Sequence, residues 1–157
     1  MEIKLQLPCG RAAIIDEADA VLVAPYRWIS DVRKTTVYVR GRLPRQASGG
    51  VYLHRLLTGN AMTDHRDGNG LNNRRQNLRP CSQQENCLNS RPKRAGKFKG
   101  VFFDKRRSRW YVQLYKDRIC YFGGSYDTPL QAAIAYDRLA LRRHGSFARL
   151  NFSDRDL

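Results

Sequence analysis

The chain has 157 residues, enough for one ordinary domain or two small ones with cores of their own. Its 29 Lys and Arg against 14 Asp and Glu give a formal net charge of +15, and no apolar run approaches the ~18 residues needed to span a bilayer. A membrane segment is therefore not expected, and the charge points to a polyanionic partner.

The charge is uneven. Residues 1–90 carry 13 basic and 8 acidic side chains (+5), whereas residues 91–157 carry 16 and 6 (+10), so the C-terminal part is the stronger electrostatic footprint. Met1 to Leu7 alternates charged and apolar residues and has no apolar h-region, which reads as an intracellular protein without a secretory signal. The cysteines are Cys9, Cys81, Cys87 and Cys120. Only Cys81 and Cys87 are near each other, at a spacing wider than zinc knuckles use, which argues against structural zinc. Reduced, mostly buried thiols are expected.

In chain order, Glu2 to Leu7 alternates, Pro8-Cys9-Gly10 supplies a turn, and Ala12 to Ile15 is apolar, predicting a hairpin. Asp16 is placed to N-cap a short helix from Glu17 to Val23, which Pro25 stops. Tyr26 and Trp28 should pack where it ends. Thr35 to Arg40 predicts a strand and Pro44 to Gly50 a polar loop. Val51 to Leu57 predicts a short strand passing into a helical turn. Its His54 is read either as a packing or hydrogen-bonding histidine or as a residue of the active site or DNA contact, and Arg55 can meet a phosphate or an acidic neighbour.

The stretch TDHRDGNGLNNRRQNLRPCSQQENCLN, residues 63–89, carries the chemistry. Hydrolysis of a phosphodiester needs an activated water, neutralised phosphate charge and a stabilised leaving oxygen. His65 suits a general base because an imidazole titrates near working pH, and Asp64 suits a hard divalent ion. Successive strand residues face opposite ways, so a bend is expected at Arg66 to Gly70, where Gly68 and Gly70 lie. Asn77 to Arg79 predicts a second strand with Leu78 in the core, and Asn77 directed at the imidazole or the loop backbone. Pro80 closes that strand. Ser82-Gln83-Gln84-Glu85 has the form of a capping box, so a helix should start at Ser82 and carry Asn86 toward the same cation as Asp64.

Ser90 to Gly96 is basic with Pro and Gly, a linker composition. Three strands then follow, GVFFD, RWYVQLY and RICYFGG, broken by turns at Lys105 to Ser108 and Lys116-Asp117. In the second, Trp110, Val112 and Leu114 share one face, and Tyr111, Gln113 and Tyr115 the other. Thr128 N-caps a helix with Pro129 at its first position, Gly145 ends it, and Ala132, Ala133, Tyr136, Leu139 and Ala140 line one side.

The segments HRLL, DHRDGNGLNNRRQNLR and QENCLN together resemble the HNH endonucleases of phage and mobile-intron type, whose fold is the ββα-metal motif. LPCGRAAIIDEADAVLVAPYRW also resembles the lead-in segment of that group. The resemblance implies Asp64 and Asn86 as metal ligands, His65 as general base and Asn77 as its supporting asparagine. Lys99-Gly100-Val101, the Trp110 strand, Tyr121-Phe122-Gly123, AAIAYDRLAL and GSFARLNF resemble an Apetala2-type DNA-binding domain, whose sheet reads the major groove. This chain carries Phe102 and Tyr121 where that family often has Arg and Trp.

Together these readings predict an α+β fold: a nuclease domain over residues 1–90 (platform 1–50, HNH core 51–90), a basic linker over 91–97, and a three-stranded antiparallel sheet packed on one helix over 98–153. The expected activity is metal-dependent, sequence-preferring nicking or cleavage of duplex DNA, leaving 5′-phosphate and 3′-hydroxyl ends, with Mg²⁺ or Mn²⁺. The expected DNA-contacting set is Arg55, Arg74, Arg75, Lys93, Arg94, Lys99, Arg106, Arg107, Arg109, Tyr111, Gln113, Tyr115 and Arg118, in which Arg and Gln can read base edges. No small-molecule substrate is expected. A monomer is expected rather than a dimer, in the cytoplasm of a bacterial or phage-infected cell. The rival reading is a DNA-binding regulator whose HNH fold has lost activity.

Overall fold

The computed structural model describes residues 1–34, 36–45, 49–90 and 98–152, which form a mixed α+β chain of small antiparallel sheets. Thr35, residues 46–48 of the expected polar loop, the linker 91–97 and residues 153–157 lie outside the described residues. None of the described helices is long and apolar enough to cross a membrane. The chain divides into two compact units, Met1–Asn86 and Cys87–Leu157.

In the first unit β1 (Glu2–Gln6) and β2 (Ala12–Asp16) form the expected hairpin, with Ile3 opposite Ile15 and Leu5 opposite Ala13. The apolar run that forms its second strand buries Ala13 and Ile15 completely. A 3-10 turn (Glu17–Asp19) and the short helix α1 (Ala20–Val23) follow. Asp16 precedes the turn, but its side chain caps nothing. Its carboxylate accepts from Arg74 Nε (3.0 Å) and the Arg75 backbone N–H (2.8 Å) instead. Charged partners outcompete a cap. Trp28 Nε1 donates to Val23 O at the end of α1 (3.0 Å), and its ring lies 5.2 Å from Tyr26.

The second sheet runs β3 (Arg27–Val32), β4 (Val37–Arg42), β5 (Val51–Tyr52). The sequence reading assigned no strand to β3. Trp28 is its one buried position and the half-buried Ser30 and Asp31 are adjacent, so the period of two is faint. β5 leads directly into α2 (Leu53–Thr58), which buries Leu53 and Leu57 against Val39 and Ile15 in one core. The last sheet of this unit is the two-stranded pair β6 (Thr63–His65) and β7 (Leu78–Pro80), followed by α3 (Gln83–Leu88). Ser82 and Glu85 make the predicted capping box: Ser82 N–H donates to Glu85 Oε2 (2.8 Å) and Glu85 N–H to Ser82 Oγ (3.2 Å).

In the second unit β8 (Val101–Asp104), β9 (Arg109–Lys116) and β10 (Ile119–Tyr126) form an antiparallel sheet with β9 central. Helix α4 (Pro129–His144) covers one face. Thr128 and Gln131 cap it reciprocally, and Ala132, Ala133, Tyr136, Leu139 and Ala140 are buried together with Val112 and Leu114. Small residues on the contact side let the helix lie close to the sheet. Asp137, fully buried, accepts from Asn151 N–H (2.9 Å), Asn151 Nδ2 (3.0 Å) and Phe152 N–H (3.0 Å), which fastens the chain beyond α4 to that helix.

The cysteines depart from expectation. Cys9, Cys87 and Cys120 are exposed and Cys81 is half-buried; all four are free thiols. Cys9 sits in the β1–β2 turn, and Cys120 lies opposite Tyr115 on the sheet face that alternation turns away from α4.

Candidate functional site

Asp64 and His65 occupy adjacent positions on β6 and are both buried, at 5% and 4% exposure. The register pairs Asp64 with Arg79 and His65 with Leu78. Leu78 anchors β7 in the core. Arg79 Nε and Nη2 both donate to Asp64 Oδ2, at 2.9 and 2.6 Å, forming an ion pair of two nearly inaccessible side chains. Directly opposed residues of antiparallel strands lie on one face of the sheet, so the carboxylate and guanidinium meet without a bend in either strand.

The expected bend follows at once. Gly68, with φ +70, donates its N–H to His65 O (2.8 Å), turning the chain back. The loop from Arg66 to Asn77 is then held by asparagines and one aspartate. Asp67 Oδ1 accepts from Asn69 N–H (2.8 Å) and Asn77 Nδ2 (3.0 Å), and Asp67 Oδ2 from Asn72 Nδ2 (2.8 Å). Asn77 Oδ1 accepts from Asp67 N–H (3.1 Å), and its Nδ2 donates to Asn72 O (2.7 Å). Asn77 therefore binds the loop, the second of its two expected partners.

The imidazole meets Asn73, which was not among its expected partners. Asn73 is fully buried; its Oδ1 lies 3.3 Å from His65 Nε2, and its Nδ2 donates to Gly70 O (3.1 Å). A carbonyl only accepts, so the Gly70 bond fixes which end of the amide faces the ring. Oδ1 is an acceptor, so Nε2 carries the hydrogen, and Nδ1 is the basic nitrogen of the neutral ring. Burial pushes the His65 pKa below its ordinary value, against smaller upward pulls from the Asn73 bond and from Asp67 and Asp64.

The N-terminal sheet places this loop. Ile14 N–H donates to Leu71 O (2.8 Å) and Asn73 N–H to Ile14 O (2.7 Å), so residues 71–73 run beside β2 like a further strand. Arg74 Nη1 also reaches Glu2 (3.0 Å), and Arg75 pairs with buried Asp19 through Nη2 (2.6 Å) and Nε (3.0 Å). Arg74 and Arg75, expected at DNA, are thus ion-paired within the fold, with the Arg75 side chain still exposed.

His54, on the first turn of α2, walls the imidazole. Its ring is 5.1 Å from His65 at a near-right angle, 5.5 Å from Tyr52 in a stack and 5.5 Å from Tyr38. Burial first, then the neighbouring His65 and Arg55 charges, push its pKa down to about 3. His54 is therefore a neutral packing group at working pH, and its Nδ1 has no hydrogen-bond partner among the described residues. Arg55 is exposed, its guanidinium 5.2 Å from the centre of the Tyr52 ring.

Asn86 is exposed on α3, its N–H closing the first turn on Ser82 O (3.0 Å). Burial, then the charges of Asp64 and Glu85, push the Cys81 thiol pKa up, so the start of α3 and the Asp64 carboxylate act on one common neighbour. Among the described residues no three His, Cys, Asp or Glu gather as a metal-binding group. A Mg²⁺ ion needs no such group: one or two protein oxygens suffice where waters and substrate phosphate complete its octahedron. One carboxylate and one amide oxygen fit that mode.

In the second unit, Lys99 does not face outward. Its ammonium donates to Leu88 O and to Ser90 O (2.8 Å) after the last turn of α3, and burial, with Arg149, lowers its pKa to about 8. Arg106, Arg107 and Arg118 are exposed in the two strand turns. Arg109 pairs with Asp127 (3.0 Å). Tyr111 and Gln113 are half-buried and Tyr115 exposed on the sheet face away from α4. Lys93 and Arg94 lie outside the described residues. No family model matches the chain.

Proposed function

We propose that the chain is a metal-dependent DNA endonuclease of the HNH homing type, with residues 63–89 as its ββα-metal centre and residues 98–153 as an Apetala2-type DNA-binding domain. The observation that supports it most is the pairing, on one strand, of a buried carboxylate with a buried imidazole whose pKa is lowered and whose tautomer is set by Asn73. A base that stays neutral at working pH can take a proton from water, which is the role the chemistry requires.

In this reading His65 Nδ1 accepts a proton from the attacking water. The water oxygen bonds to phosphorus, the bond from phosphorus to the 3′ oxygen breaks, and that oxygen takes a proton from solvent, leaving 5′-phosphate and 3′-hydroxyl ends. Asp64 and Asn86 would hold a divalent cation. When bound, it supplies Lewis-acid stabilisation of charge on the phosphate and the leaving oxygen. Arg79 fixes the orientation of the Asp64 carboxylate. Asn77 and Asp67 keep the loop compact so that Asn73 stays against the ring. The formal charge of +15 supplies non-specific attraction to the duplex.

A plasmid-nicking assay with Mg²⁺ or Mn²⁺ tests the reading. Supercoiled plasmid should become open-circular with the wild type and stay supercoiled with His65→Ala. A wild type inert with both metals, or a His65→Ala variant as active as the wild type, overturns it. Duplex binding without nicking would identify the chain as a non-catalytic DNA-binding protein.

A further inference from the structure

The sheet face turned away from α4 carries side chains that phosphodiester cleavage does not use. Strand alternation sends Val101, Val112, Leu114 and Tyr121 toward the helix, and Phe102, Tyr111, Gln113, Tyr115 and Phe122 the other way. Three of the outward aromatics stay open, with Phe102 45%, Tyr115 60% and Phe122 65% exposed. An aromatic cluster left open on one sheet face marks a surface that meets something.

The pairing within that face is specific. Gln113 on β9 lies directly opposite Phe122 on β10, and Phe102 on β8 directly opposite Tyr111 on β9, with those two rings stacked at 5.5 Å. The Gln113 side-chain amide has no partner among the described residues. A cavity of about 400 Å³ opens here, lined in part by Tyr111, Gln113, Phe122, Ser125, Lys105 and Arg107. Arg107 and Lys105 line it together with Asp104, while Arg106 stands in the same β8–β9 turn and Arg118 in the β9–β10 turn beside Asp117.

A basic rim around an amide and open aromatic carbons matches one display. In the major groove an A·T pair offers adenine N7 as acceptor and N6 as donor, which a Gln amide meets with two hydrogen bonds, and beside them the thymine 5-methyl, which takes apolar contact. A G·C pair offers no methyl. We infer that Gln113 and Phe122, flanked by Phe102 and Tyr111, read A·T pairs of duplex DNA, with the thymine methyl as the apolar determinant. The arginines of the turns hold the phosphates on either side. This rests on the DNA-binding half of the proposed function and is independent of cleavage.

The test is fluorescence anisotropy with the intact chain in EDTA at fixed salt. It uses four probes of equal length: an A·T duplex, the same duplex with uracil in place of thymine, a G·C duplex, and a single strand. The A·T duplex should bind tightest, and removing the methyls should weaken binding about fourfold for each one contacted. Phe122→Ala should bind the thymine and uracil duplexes alike, Phe122→Leu should retain part of the difference, and Gln113→Ala should lose the preference over G·C. Equal affinity for thymine and uracil duplexes, equal affinity for G·C, tighter binding of the single strand, or no binding to any probe overturns the inference. Plasmid nicking scores the nuclease reading separately.

Discussion

Arg79 and Asp64 face each other across β6 and β7, with Arg79 Nε and Nη2 each donating to Asp64 Oδ2, in a site from which water is nearly excluded. A buried pair of this kind adds little over an apolar pair of the same shape, but removing one partner strands the other charge. Arg79→Gln should therefore cost about 3–5 kcal/mol of stability. Adding Asp64→Asn to it should recover much of that loss. Urea unfolding of the wild type, both single variants and the double variant measures this, and an Arg79→Gln protein as stable as the wild type would show that the pair is not holding the hairpin.

All three histidines of the chain have lowered pKa values, and burial is the leading cause at each. For His54 the folded value is about 3, below the ~6.5 of an unfolded histidine. Between those values the unfolded chain binds a proton that the folded one refuses, so stability is intact above about pH 6.5 and falls as pH drops toward 3. His65 adds to the slope in the upper part of that window, because its shift has the same sign. Each such histidine contributes up to about 1.4 kcal/mol per pH unit. Urea midpoints from pH 8 to pH 5, followed by Trp28 fluorescence in a Trp110→Phe background, should fall with acid. His54→Phe should flatten the curve, and an unchanged slope would place the titration elsewhere.

Asn73 sets the tautomer of His65, so on the proposed nuclease reading its loss should be felt in the chemistry before the fold. Groups that orient a reacting imidazole are worth about 10–100-fold when removed. Asn73→Leu should lower the nicking rate by that factor with duplex affinity unchanged. With only three histidines to assign, ¹⁵N NMR should find His65 as the Nε2–H form in the wild type and a mixture in the variant. A wild-type ring protonated at Nδ1 would contradict the role given to Asn73.

What could be read from the residues was what local chemistry decides. The β1–β2 hairpin, the Ser82–Glu85 box and the Thr128–Gly145 helix each depend on residues within a few positions of one another, and each formed as expected. The site's own pairings were decided otherwise. Asp64 and Arg79 are 15 residues apart and meet only because the hairpin register sets them opposite. Asn73, not its neighbour Asn72 or the more distant Asn77, reaches the imidazole because residues 71–73 are hydrogen-bonded alongside Ile14 of β2. Nothing in an Asn-rich loop distinguishes those amides before the path of the loop is known. The ion pairs of Arg74 and Arg75 were not legible for the same reason: their partners Glu2, Asp16 and Asp19 lie more than fifty residues away.

Gly100 shows how tightly the second unit depends on one absent side chain. It sits at φ +69, just before β8, and a Cβ there would run into the Tyr136 ring and lie 2.9 Å from the Gln113 carbonyl. Tyr136 is buried in the middle of α4, so its ring has no free direction in which to retreat. Overpacking of such a site costs about 1–3 kcal/mol, and the left-handed backbone adds about 1–2 kcal/mol for any residue with a Cβ. Gly100→Ala should therefore destabilise the β8–β10 sheet by at least about 2 kcal/mol, read by Trp110 fluorescence in a Trp28→Phe background. Tyr136→Ala should relieve part of the clash when combined with it, giving a double variant more stable than the two separate losses added together. Strict additivity would place the strain in the backbone alone, and a Gly100→Ala protein as stable as the wild type would mean that Tyr136 does not occupy this position.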